Sequence, residues 1–108
     1  MLNLKMTLIK ILQQLKINKE KYANESFSLG VITATSGTVG SVSETISVDI
    51  TKSGYSPIAL GVSFVNTSAV GFRPFYRSNT AYVQVVRGQT AAYTGTYTAY
   101  LNVLYVKQ

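Results

Sequence analysis

Apolar and polar residues alternate strictly through Thr45-Ile46-Ser47-Val48-Asp49-Ile50-Thr51. Period two is the signature of a half-buried strand, with Ile46, Val48 and Ile50 on its core face. Lys52-Ser53-Gly54-Tyr55-Ser56-Pro57 follows. Gly54 gives the backbone turning freedom there, and Pro57 cannot donate to a central ladder. Alternation then resumes with Ile58, Leu60, Val62 and Phe64 on one side. The stretch reads as strand, connection, strand in a hairpin-like unit. The rest of the chain is expected to extend that sheet or to present it.

The N-terminal region follows a different period. Met1, Leu4, Leu8, Ile11 and Leu15 fall at spacings of three and four, with no Gly or Pro between them. This predicts a helix over residues 2 to about 22, roughly 30 Å long. Its seam places Leu8 and Leu15 at heptad position a and Leu4 and Ile11 at d. Leu2, Ile9 and Leu12 widen the stripe, and Asn18 takes the next d position, where a buried amide can fix register. Such a helix alone in water is marginal and needs a surface to bury against. That surface is its own sheet, copies of itself, another protein or a membrane. Leu at a with Ile at d favours three or four strands over two. Lys5, Lys19 and Lys21 sit beside the seam without facing acids. The residues predicted to mediate oligomerisation are Leu4, Leu8, Ile11, Leu15 and Asn18.

Asn24-Glu25-Ser26 reads as a polar joint, dividing an oligomerisation or anchoring helix (1–25) from a β domain (26–108). Further strands are predicted over 28–35, 70–77, 80–87 and 94–106. Loops with small, polar or Gly residues separate them at 36–41 and 88–90, and Ser78-Asn79 forms a tight turn. Pro74 demotes the 70–77 strand to an edge strand or a bulged one. Tyr97, Ala99, Leu101, Val103 and Tyr105 form the inward row of the last strand. About six strands at this spacing predict an antiparallel β-sandwich preceded by one amphipathic helix, a mostly β fold.

Composition narrows the chemistry. The 108 residues are 46% hydrophobic, enough for one small core, and contain neither Cys nor His. Thiolate and imidazole metal sites, Ser-His-Asp triads and Cys-His pairs are therefore excluded. The acids are Glu20, Glu25, Glu44 and Asp49. Glu44 and Asp49, five apart, are expected on opposite faces of a strand. No catalytic, cofactor-binding or metal-binding residue is assigned, and a non-enzymatic protein is expected. The net charge is +6, with five lysines in the first 21 residues. Such charge suits a polyanion or anionic lipid, and equally keeps a β-rich chain soluble. No run of eighteen apolar residues is present. Lys5 and Lys10 interrupt the N-terminal apolar stretch, which is read as mature sequence rather than a signal peptide.

Three segments carry a resemblance. Lys52-Ser53-Gly54-Tyr55-Ser56-Pro57-Ile58-Ala59, Tyr76-Arg77-Ser78-Asn79-Thr80-Ala81-Tyr82 and Leu101-Asn102-Val103-Leu104-Tyr105-Val106 are similar to segments in the C-terminal β-sandwich tips of phage and prophage tail-fibre proteins. The resemblance covers residues 28–108. It implies a trimeric tip on the surface of a virion, usually carried behind a coiled coil, which faces a receptor or decorates the particle. Its expected partners are two further copies, a larger capsid or tail component met through the helix, and a host-surface glycan. No catalytic residue is carried over. Two alternatives are a membrane-docked protein using the cationic helix, with no spanning segment, and a stand-alone carbohydrate-binding module.

Candidate surface contacts follow from side-chain type. Arg73 and Arg77 share a strand face with Phe75, and arginine beside aromatics suits an anionic sugar or phosphate. Structural alternatives are packing at a subunit interface and blunting of an edge strand. Tyr76, Tyr82, Tyr93 and Tyr100 are the tyrosines expected to be partly exposed, as adaptable contacts or simply as good strand formers. No RNP-type motif or phosphate-cradling Gly loop is present, so no nucleic-acid partner is expected.

Overall fold

The computed structural model describes residues 2–65, 68–96 and 98–108, with side-chain environments for all of these except 2–4 and 17–20. Helix α1 spans Leu2–Lys21 and runs without a linker into β1 (Tyr22–Ser28). There follow β2 (Ile32–Ala34), β3 (Val42–Asp49), β4 (Tyr55–Ser63), β5 (Val70–Arg77), β6 (Thr80–Arg87), β7 (Tyr93–Gly95) and β8 (Tyr100–Lys107). The fold is mostly β, with one N-terminal helix and every strand pair antiparallel.

Two three-stranded sheets, β1-β8-β4 and β3-β6-β5, face each other, and β2 and β7 form a separate short ribbon. The core lies between the two central strands. β8 contributes Leu101, Val103 and Tyr105, and β6 contributes Ala81, Val83 and Val85. Ile32 and Ala34 join the cluster from the ribbon, and Ile50 joins it just past β3. Each of these alternates with a more exposed residue along its strand, as a pleated ribbon requires.

Several expectations are corrected in detail. β3 and β4 do not form a hairpin: β3 pairs with β6, β4 pairs with β8, and the 50–54 connection crosses between sheets. β4 begins at Tyr55, so Pro57 lies inside the strand. It is tolerated because β4 is an edge strand. A bulge at Ile58 then shifts the register, leaving Pro57, Leu60 and Val62 on the inward row and Ile58 43% exposed. Phe64 lies past the end of β4 and is exposed.

Asn24-Glu25-Ser26 is strand rather than joint, paired with Leu104, Val103 and Asn102. The boundary at residue 25 therefore falls inside β1. The final predicted strand divides into β7 and β8, the first shortens to β2, and β1 is an additional strand over the predicted joint, which gives eight strands among the described residues in place of six. Pro74 does lie on an edge strand, β5. Glu44 and Asp49 do occupy opposite faces of β3, opposite inward Val85 and outward-row Thr80 respectively. Tyr97 lies outside the described residues.

The helix is not folded back on the sandwich. The molecule measures 69 × 26 × 20 Å, and α1 meets only the ends of β1 and β8 to any extent. Met6, Leu8, Ile9, Ile11, Leu12 and Leu15 are each 47–60% exposed. Leu8, Ile11 and Leu15 of the predicted seam are thus uncovered. The side chains of Leu4 and Asn18 lie outside those described.

Candidate functional site

The two outer faces of the sandwich differ in chemistry. On β1-β8-β4 the outward rows run Tyr22-Val106-Ser56, Asn24-Leu104-Ala59, Ser26-Asn102-Gly61 and Ser28-Tyr100-Ser63. None of these residues is charged. Asn102 crosses this face, accepting a hydrogen bond from Ser26 Oγ at 2.8 Å and donating to Ser63 Oγ at 3.0 Å. One side chain thereby ties all three strands on the outside of the sheet.

On β3-β6-β5 the outward rows bring cations and aromatics together. Phe75 pairs with Tyr82, Arg73 with Gln84, and Arg77 with Thr80, which also faces Asp49. The Phe75 and Tyr82 rings stack at 5.2 Å between centroids, with 20° between their planes. Cross-strand aromatic pairs of this kind are worth about 0.5–1.5 kcal/mol beyond the area they bury. Tyr82 is half-buried beneath the pair, whereas Phe75 remains 41% exposed. Because β5 is the edge of its sheet, no further strand among the described residues is hydrogen-bonded beyond it.

Arg73 and Arg77 flank Phe75 along the same strand face, and both are exposed. Arg73 Nη1 makes a long 3.5 Å contact to Gln84 Oε1. Neither arginine pairs with a carboxylate among the described residues, where the ion pair is Lys52–Glu25 at 2.8 Å. Asp49 is the acid on this face, and it is already engaged. Its Oδ1 accepts from Thr51 N at 3.0 Å and from Thr51 Oγ1 at 2.6 Å. These bonds, the hydroxyl's first, hold its carboxyl below the usual carboxylate range.

Of the six predicted surface residues, the fold gathers Arg73, Arg77 and Tyr82 onto one face around Phe75. Tyr76 is exposed but lies on the opposite face of β5, level with inward Ala81. Tyr93 sits half-buried against the core on the ribbon. Tyr100 lies on the uncharged sheet. Gln84 joins the site without a signal in the sequence, since only the β5–β6 register places it beside Arg73.

Arg87 is the residue whose role sequence reasoning missed most clearly. Its guanidinium donates from Nε to Thr35 O at 2.8 Å and from Nη2 to Thr35 Oγ1 at 2.5 Å. Nη1 reaches Ser41 Oγ at 2.8 Å and Val42 O at 2.9 Å. It fastens the 35–42 loop to the end of β6. Gly37 lies against it, and a Cβ there would stand 2.8 Å from Arg87 Nε, so the guanidinium would have to shift.

No group of three or more acidic, His or Cys residues converges among the described residues, and no described helix is long and apolar enough to cross a membrane. No known protein family matches the chain, and neither the curated proteins nor the solved structures compared with it give a match.

Proposed function

We propose that this chain is a non-enzymatic structural protein of a virion, a short trimeric fibre or decoration whose β-sandwich projects from the particle surface for host attachment. The observation that carries the reading is the helix. Six apolar side chains on α1 stand uncovered while the sandwich beside it is closed around its own core. Burying a Leu or Ile side chain fully contributes about 1.5–3 kcal/mol, so association of helices recovers what the single chain leaves in water. The a/d residues favour three strands or more, and the sequence resemblance to fibre tips favours three. Since α1 continues directly into β1, copies joined at their helices bring their β1 strands near one another. The arginine and aromatic face belongs to the other sheet, β3-β6-β5.

The test is a paired comparison of the natural chain with a Leu8→Lys, Leu15→Lys variant in size-exclusion chromatography with light scattering. The natural chain is expected at about three times the 11.8 kDa chain mass and the variant at one. Equal masses for the two would remove the helix from the assembly.

A second reading has one observation in its favour. Lys5, Lys10 and Lys16 are exposed alongside the apolar residues of α1, a composition that suits docking on an anionic bilayer surface. Flotation with anionic vesicles that is abolished by deleting residues 2–21 would favour it over the fibre.

A further inference from the structure

We infer that the outward face of β3-β6-β5 binds an acidic oligosaccharide, with a sugar ring packed on the exposed ring of Phe75 and its carboxylates paired to Arg73 and Arg77. The inference rests on the attachment reading and deepens it by naming the class of surface that is met.

Three features of the face carry it. First, Phe75 stacks on Tyr82 while the ring remains exposed on a strand at the sheet edge. The negative ring face attracts the weakly positive C–H groups of an apolar sugar face. Second, two guanidinium groups flank that ring with no carboxylate partner among the described residues. The local acid, Asp49, is occupied by Thr51. Guanidinium matches a carboxylate with two parallel donors, which gives orientation as well as attraction. Third, Arg73 and Arg77 are four residues apart on one strand, about 13 Å along it. That span lines an extended ligand with repeated acid groups better than a single point charge. Gln84 and Thr80, in the same two rows, supply amide and hydroxyl groups for sugar hydroxyls.

A single-stranded nucleic acid fits less well. Sequence-tolerant binding of that kind uses successive aromatic platforms along a basic groove, and this face offers one open ring.

The experiment follows amide chemical shifts of the natural chain during titration with hexagalacturonate. Its fully methyl-esterified form serves as the neutral control and the oligonucleotide dT12 as the competing polyanion. Shifts are expected to cluster on β5 and β6 with the acid form. They should be absent with the ester, and dT12 should bind at least tenfold more weakly. Arg73→Gln with Arg77→Gln, or Phe75→Ala, should weaken binding by roughly tenfold or more. Lys107→Gln, which removes one exposed charge elsewhere, should leave it unchanged. The amide spectrum of each variant reports directly whether it remains folded. No shift at millimolar sugar, equal shifts with the ester, or tighter binding of dT12 would each overturn the inference. A trimer that binds no sugar refutes this site alone. A monomer that binds it keeps the site and refutes only the assembly.

Discussion

The Tyr105 hydroxyl donates a 2.6 Å hydrogen bond to the backbone carbonyl of Ile50. Both residues are wholly buried, and they belong to opposite layers. Tyr105 lies on β8, the centre of one sheet, and Ile50 leaves β3 of the other. The Ile50 amide is separately bonded to the Asn79 carbonyl at the β5–β6 turn, at 2.9 Å. One residue thus fixes where the chain crosses between sheets, and the crossing sets which face of each sheet looks outward.

Replacing Tyr105 by Phe keeps the ring and strands the Ile50 carbonyl. A buried group left without its partner costs about 1–3 kcal/mol. Thermal unfolding of Tyr105→Phe should show a midpoint lowered by several degrees, at roughly 4–8 °C per kcal/mol for a domain of this size. An unchanged midpoint would mean that the carbonyl finds water instead.

Alkaline pH should act through the same corner. Burial first, and then the Glu25 carboxylate, raise the Tyr105 phenol above its ordinary value. The hydrogen bond to Glu25, the largest cause, raises Lys52. For a group whose folded value is raised, the stabilisation is complete below its unfolded value, about 10 for both types, and is lost as pH climbs through the folded value. With no histidine in the chain, the melting midpoint should be flat between about pH 6 and 8 and fall above about pH 10. In Tyr105→Phe the plateau should be lower and the alkaline fall shallower. Asp49 works in the other direction. Its lowered value means that its contribution is present above the ordinary carboxylate range and lost as pH drops through the folded value.

Arg87→Lys should loosen the 35–42 loop. Lysine keeps one charge but cannot make four hydrogen bonds from a planar fork. Amide exchange is the measure. Gly37 N, bonded to Thr90 O at 3.0 Å, and Gly40 N, bonded to Arg87 O at 2.7 Å, should exchange faster in the variant. The amides of β8 should not change.

The parts of this fold that were legible in the sequence are those governed by period and by backbone covalency. The helix ends within a residue of its predicted limit. Pro74 limits its strand to an edge or a bulge, since a residue without an N–H cannot serve two neighbours, and of the two β5 takes the edge. The shared face of Arg73, Phe75 and Arg77 followed from alternation alone. Alternation carries no information about which strand is the neighbour, however. Hence β3 and β4 looked like a hairpin although they lie in opposite sheets, and the Phe75–Tyr82 stack awaited the β5–β6 register. β1 was missed because Glu25 occupies an inward row, where an apolar residue would have signalled a strand. Its partner Lys52, 27 positions away, meets it at 2.8 Å.

The central claim is that exposed leucines and isoleucines on α1 hold three chains together. Sedimentation equilibrium of the natural chain at micromolar concentration tests it most directly. A single species at about three times the chain mass is the predicted result. A stable monomer across that range, with α1 still helical, would contradict it.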